Sequence, residues 1–138
     1  MPCGKKIRER FAAALRWQAG EFEKHTGAKV KVDSPDVPMP IGREHALALF
    51  RIFQETLTNV ARHANASEVA VKLSDGDGSY KLEVRDNGVG MDVSALQRPT
   101  SHGIRGMRER ARQLGGDIQV DSRPNEGTRL LVTVPKNG

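Results

Sequence analysis

Residues 41–64 read IGREHALALFRIFQETLTNVARHA, and the fold turns on how that stretch is read. Its apolar residues Ala46, Leu47, Leu49, Phe50, Phe53, Leu57, Val60, Ala61 and Ala64 recur mostly three and four positions apart. That spacing marks one buried face of a helix. Glu55, Asn59 and the pair Arg62-His63 follow at one-turn intervals near the other face. A solvated surface would account for these polar groups if the helix stood alone, and the rest of the chain decides against that.

Outward on the amino side, residues 33–40 contain three prolines and form a loop. Residues 28–32 alternate, Val30 and Val32 against Lys29 and Lys31, as a half-buried strand does. Before them KKIRERFAAALRWQAGEFEKHT, residues 5–26, is a helix with Ile7, Phe11, Ala14, Leu15 and Phe22 on its apolar stripe. Gly20 weakens that helix and Gly27 closes it as a left-handed cap. On the carboxyl side the central helix stops near Asn65. Strands at 68–73 and 80–85 follow, joined by SDGDGS, a hairpin signal. A loop over 86–102 leads to a helix at 104–114 closed by Gly115-Gly116, and strands at 117–122 and 128–135 flank the turn RPNEG. This order predicts an α/β (α+β) two-layer sandwich, its mixed and mainly antiparallel sheet covered on one face by helices. The parallel alternation of a dinucleotide-binding domain is absent.

The 138 residues suit one compact domain, and with 37% hydrophobic but only 4% aromatic residues its core must be aliphatic. A net charge of +5 and a pI near 9.7 suggest an anionic partner. The basic residues cluster at Lys5, Lys6, Arg8 and Arg10 and again at Arg98, Arg105, Arg108, Arg110 and Arg112. Neither cluster interleaves aromatics, which argues against nucleic acid. Cys3 stands alone, excluding an internal disulfide and a multi-cysteine metal site. With no apolar run of spanning length and no signal-peptide core, a cytoplasmic domain without membrane contact of its own is expected.

Three short motifs carry chemistry. Asp86-Asn87-Gly88-Val89-Gly90-Met91 follows a strand, Ser101-His102-Gly103-Ile104-Arg105-Gly106-Met107 opens a helix, and Gly127-Thr128 enters the last strand. Alternate glycines let backbone approach a ligand, and glycines at a helix amino end free N–H groups for an anion. Each motif alone reads as an ordinary turn, but the combination with Glu-x-x-x-Asn-x-x-Arg-His-Ala is specific. It resembles the ATP-binding domain shared by DNA gyrase, Hsp90, sensor histidine kinases and MutL, the GHKL or Bergerat-fold superfamily. FRIFQETLTNVARHA and GIRGMRERARQLGG look like the two-component sensor histidine kinases of the NarX and DesK type.

The resemblance implies ATP and Mg²⁺ as ligands and gives each motif a role. Asn59 would hold Mg²⁺, with Glu55 reaching it through water or assisting the incoming imidazole. Arg62, with His63 beside it, would face the phosphates. Asp86 would accept the adenine amino hydrogen and Thr128 would join it, often through water. Gly88 and Gly90 would let base and ribose approach. Gly103, Ile104 and Gly106 would offer backbone N–H groups to the triphosphate, with His102 in the same segment and Arg105 as an extra contact. Met91 and Met107 are apolar walls or plain core positions. The loop over 91–102, with its Pro99-Thr100-Ser101 run, is expected to order when nucleotide arrives.

The acidic residue that follows the phosphoacceptor histidine in the family follows none of His25, His45, His63 or His102. Residues 1–26 are therefore expected to be a remnant of dimerisation and connector helices, in part of vector origin, with the ATP-binding catalytic domain at 27–138. The implied partners are the dimerisation and phosphoacceptor domain of a homodimeric parent kinase and a downstream response regulator, this piece alone being a monomer. Two alternatives share the fold: an anti-sigma-factor-type serine kinase and a non-catalytic ATP-sensing module.

Overall fold

A computed structural model of the chain describes residues 3–34, 41–76, 78–89, 102–123 and 125–136, with side chains described for all of these except 3–10, 63–64 and 102–104. Helix α1 spans Cys3–Thr26 and buries Phe11, Leu15, Ala19 and Phe22, residues at helical spacing that make one stripe. It runs through Gly20 and ends as expected at Gly27, whose φ of +78° suits a residue without Cβ and whose N–H donates to the Glu23 carbonyl at 2.8 Å. Glu23 then accepts the Val30 backbone N–H at 2.7 Å, tying the helix to the edge strand β1, Lys29–Asp33.

Helix α2, Arg43–Asn59, is the crossover between β1 and the parallel strand β2, Glu68–Gly76. It buries Ala46, Leu49, Ile52, Phe53, Thr56 and Leu57. The stripe is therefore rotated from the expected one: Leu47 is 49% exposed and Ala61 is exposed, while Ile52 is wholly buried. The expected single helix over 41–64 also ends early. After Asn59 the chain widens into a π-helical turn, Val60–Ala64, which closes at Asn65 in the left-handed conformation with φ 49° and ψ 42°. The wider turn breaks the regular phase, so Arg62 no longer stacks directly over Asn59 and stands exposed.

Strand β3, Ser79–Asp86, pairs antiparallel with β2 out to Gly76–Ser79. Helix α3, His102–Gln113, begins two residues before the expected start. Strands β4, Asp117–Arg123, and β5, Gly127–Pro135, complete a five-stranded sheet in the order β1-β2-β3-β5-β4. Its one parallel pair and three antiparallel pairs give the mixed sandwich that the sequence predicts.

Alternation along the strands separates the sheet faces. Val69, Val71, Leu73, Leu82, Val84, Ile118, Leu130, Val132 and Val134 are buried with Leu15, Ile52 and Phe53 in one cluster. Each large side chain so buried stabilises by roughly 1.5–3 kcal/mol. The opposite face is polar, with Glu83 bonded to Arg129 at 3.0 Å and Arg129 to Asp121 at 3.4 Å. Such half-exposed pairs stabilise little. No helix among the described residues is long and apolar enough to cross a membrane.

Candidate functional site

The apolar phase of β3 runs Tyr80, Leu82, Val84 and then Asp86, so a carboxylate occupies a core-facing position at the strand end. Asp86 is 6% exposed. A buried carboxylate needs donors, and the Gly88 N–H supplies one at 2.8 Å to Oδ1 while the Thr128 N–H supplies another. Burial pushes the carboxyl above its ordinary value of 3.8, against the opposing pull of these backbone hydrogen bonds from Gly88 and Thr128. A carboxylate kept in a position that costs it solvation is a functional candidate on physical grounds.

Register extends the site sideways. Val69, Asp86, Thr128 and Ser122 are consecutive cross-strand partners on β2, β3, β5 and β4. The next inward row is Val71, Val84, Leu130 and Val120, and is wholly apolar. Ser122 Oγ and Thr128 Oγ1 are 2.8 Å apart, and Ser122 Oγ also donates to the Gly127 carbonyl at 3.3 Å. A cavity of about 400 Å³ opens at this end of the sheet, lined by Asp86, Gly127 and Thr128 together with Arg85, Asp121 and Arg129 of the polar face.

Two residues hold the Asp86 loop. Asn87 Oδ1 accepts the Ser67 and Glu68 backbone N–H groups, each at 3.0 Å, and its Nδ2 donates to Ser67 Oγ at 3.0 Å. Ser67 lies two residues past Asn65, so Asn87 joins the Asp86 loop to the exit of the helix that carries Asn59. Gly127, at φ +83°, lies under the same loop: a Cβ there would stand 2.1 Å from the Asp86 carbonyl oxygen. The Asn125 N–H donates to the Val89 carbonyl from the same turn.

Glu55 and Asn59 are half-buried one turn apart near the end of α2. Glu55 lines a second cleft of about 400 Å³ between α2 and α3, with Arg51, Thr58, Gly106, Met107 and Arg110. Met107 is buried, and its Sδ lies 3.3 Å from the Thr56 hydroxyl where α3 packs on α2. Of the basic cluster on α3, Arg108 and Arg112 turn to Asp117 at 3.4 and 3.7 Å, and Arg108 also donates to the Ile118 carbonyl. Arg105 and Arg110 remain exposed. Half the cluster thus fastens α3 to β4.

The donor set suits a hard cation. Asn59 offers a neutral amide oxygen and Glu55 a carboxylate one turn earlier, and Mg²⁺ takes few protein ligands beside phosphates and water. Among the described residues no group of three His, Cys, Asp or Glu side chains forms a ready cage.

Of the residues expected from sequence, Asp86, Gly88 and Thr128 form one cluster, and Glu55, Gly106 and Met107 share the α2–α3 cleft. Gly90, Met91 and the loop over 91–101 lie outside the described residues, as do the side chains of His63, His102 and Ile104. Sequence reasoning missed Ser122, Asn87 and Thr56 as site or supporting residues. Ser122 and Thr56 had a signal, since each is a hydroxyl in the apolar phase of its element, after Ile118 and Val120 and after Ile52 and Phe53.

Residues 44–138 match the family of histidine kinase-, DNA gyrase B-, and HSP90-like ATPases. The chain is 34% identical over 114 residues to the signal transduction histidine-protein kinase/phosphatase DegS of Brevibacillus brevis, covering 83% of this chain and 29% of that protein. It is 37% identical over 120 residues to the nitrate/nitrite sensor protein NarX of Escherichia coli, covering 87% of this chain and 20% of that protein. The chain thus spans about a third or less of the length of these relatives. The fold is that of the histidine kinase domain of the Erythrobacter litoralis EL346 blue-light activated histidine kinase, with a TM-score of 0.76 at 24% identity over 91% of this chain and 61% of that one. The family match spans residues 44–138, most of the chain, so the protein belongs to the histidine kinase-, DNA gyrase B- and HSP90-like ATPase family and is an ATP-binding domain.

Proposed function

We propose that this chain is the catalytic domain of a sensor histidine kinase, which passes the γ-phosphoryl group of ATP to a histidine on a separate dimerisation domain. The observation that supports it most is Asp86, a buried carboxylate held by the Gly88 and Thr128 backbone N–H groups at the end of β3. A fixed acceptor there takes the adenine amino hydrogen and repels the oxo group of guanine. Thr128 completes the base contact. Asn59 would hold Mg²⁺ beside the phosphates, where the ion would supply charge that offsets theirs. Backbone N–H groups at the start of α3, from Gly103 onward, bind the triphosphate at the positive end of the helix dipole.

The acceptor imidazole enters the cleft between α2 and α3, beside Glu55 and Arg110. An in-line attack needs it opposite the departing ADP. One ring nitrogen forms the bond to the γ-phosphorus as the bridging oxygen bond breaks, and the Glu55 carboxylate orients the ring through its N–H. Arg62 contributes charge from the π-helical turn. The histidine belongs to the dimerisation domain of a homodimeric parent, the phosphoryl group passes on to a response regulator, and the domain works in the cytoplasm.

Incubation with γ-labelled ATP, Mg²⁺ and a histidine-bearing dimerisation fragment of the parent kinase tests the reading. Acid-labile, base-stable label on the fragment is expected. ATP binding without any label on that fragment would overturn the kinase assignment and leave only an ATP-binding module.

A further inference from the structure

We infer that Arg51 and Arg110 are docking residues, which hold carboxylates of the protein segment that carries the acceptor histidine into the α2–α3 cleft. The inference rests on the reading of that cleft as the acceptor's entry. Two helix stripes build its walls. Arg51, Glu55 and Thr58 follow at i, i+4 and i+7 on α2, and Gly106 and Arg110 follow at i and i+4 on α3. A Cβ at Gly106 would meet nothing within 4 Å, so that wall stands open to a cleft of about 400 Å³.

Two cations flank one half-buried carboxylate in this cleft. Among the described residues none of the three side chains forms an ion pair or a hydrogen bond. Their neighbours behave differently. Arg108 and Arg112, on either side of Arg110 in sequence, both turn to Asp117. Gln54 reaches Gln18 of α1 at 3.4 Å, and the Thr58 hydroxyl donates to the Gln54 carbonyl at 3.0 Å. Distance separates the two arginines from the phosphates. Arg110 lies about two turns, roughly 10 Å of helix, beyond the amino end of α3, and Arg51 lies roughly 12 Å of helix before Asn59. What meets them is therefore the segment around the incoming histidine. A carboxylate there makes forked, charge-assisted hydrogen bonds to a guanidinium group, and Glu55 between the two arginines is left for the imidazole.

The test is phosphoryl transfer from the 138-residue chain to a histidine-bearing dimerisation fragment of the parent kinase, with KM for the fragment and affinity for ATP measured separately. Arg51→Glu and Arg110→Glu are each expected to raise that KM roughly tenfold, while ATP affinity and the thermal midpoint stay at wild-type values. Arg51→Lys and Arg110→Lys keep the charge and lose only the fork, so they should raise it less. Added KCl should narrow the gap between wild type and the two Glu variants, because exposed charges are screened. Changing to Lys the fragment's acidic residue that meets Arg51 should reverse the order, Arg51→Glu then labelling it faster than wild type does. An unchanged KM in both Glu variants overturns the docking role and leaves the kinase reading intact. A loss of ATP affinity equal to the rise in KM places the arginines at the phosphates and overturns it as well. ATP binding by wild type without label on the fragment overturns the kinase reading and this inference with it.

Discussion

Gly127 supports Asp86 by backbone contact alone: a Cβ at position 127 would fall 2.1 Å from the Asp86 carbonyl oxygen and 3.3 Å from Asn87 Cα. Neither neighbour is a side chain that can swing aside. The residue also has φ +83°, where side chains are strained. Gly127→Ala is therefore expected to lose about 2 kcal/mol or more in urea unfolding and to weaken ATP binding by displacing Asp86. A variant with wild-type stability and affinity would show that the loop has room the geometry denies.

Asp86→Asn separates function from stability through its pH dependence. Burial raises the Asp86 pKa above 3.8, so the folded state holds this proton more tightly than the unfolded chain does. The resulting stabilisation is full below the unfolded value and is lost as pH rises through the raised native value. Asn carries no such dependence. Relative to wild type, the variant should gain stability as pH rises from about 4 toward neutrality, while ATP affinity falls roughly 10- to 100-fold with the loss of a charged acceptor. Denaturant midpoints at acid and neutral pH check the sign; a variant that loses ground as pH rises contradicts it.

Asn87 is the structural member of the Asp-Asn-Gly turn. Its amide makes three hydrogen bonds to Ser67 and Glu68. Because the side chain is exposed, Asn87→Ala should cost about 1 kcal/mol and not the full sum of three bonds. Hydrogen exchange should nonetheless quicken at both Gly88 and Ser67, on the two sides of the lost staple. Quickening at Gly88 alone would mean that Asn87 does not connect the two segments.

What the sequence made legible follows from what is periodic in it. Val69, Val71 and Leu73 against Lys72, or Leu130, Val132 and Val134 along the last strand, declare a one-sided sheet, and the order of elements leaves few topologies. Asp86 was legible because its motif is local. Ser122 shows in the sequence only as a hydroxyl in an apolar phase; its place opposite Thr128 does not, because register is not written in either strand alone. The π-helical turn was equally hidden: VARHA has good helical spacing, and no residue in it marks the widening that leaves Arg62 exposed. The rotation of α2 toward Ile52 and Thr56 came from α3, whose Met107 packs where a sheet-facing stripe alone gave no reason for a threonine.

Thr56 makes that α2–α3 contact testable. Its hydroxyl donates to the Ile52 carbonyl at 2.7 Å, so the oxygen is satisfied within its own helix while it touches Met107 Sδ. Thr56→Val keeps the shape and removes the hydroxyl, and should change stability by no more than about 1 kcal/mol. Met107→Ala opens a cavity between the helices and should cost about 2–5 kcal/mol. Because Met107 also lines the Glu55 cleft, its loss should slow phosphoryl transfer more than it weakens ATP binding. Equal losses in the two would place Met107 in general packing only.

Asn59 lies at the last α-helical position before the π-helical turn and is half-buried. Alanine is the better helix former there, by a few tenths of a kcal/mol, so Asn59→Ala should fold with stability close to wild type. Its loss should appear only with the metal present. For wild type, removing Mg²⁺ with a chelator is expected to weaken ATP binding, because the phosphate charge is then unneutralised. For Asn59→Ala the chelator should change little, since the amide oxygen that holds the ion beside the phosphates is already gone. The two proteins should therefore bind ATP alike without Mg²⁺ and diverge with it, and transfer to histidine should fail in the variant. A Mg²⁺ response in Asn59→Ala equal to that of wild type would move the metal site elsewhere, with Glu55 as the next residue to change.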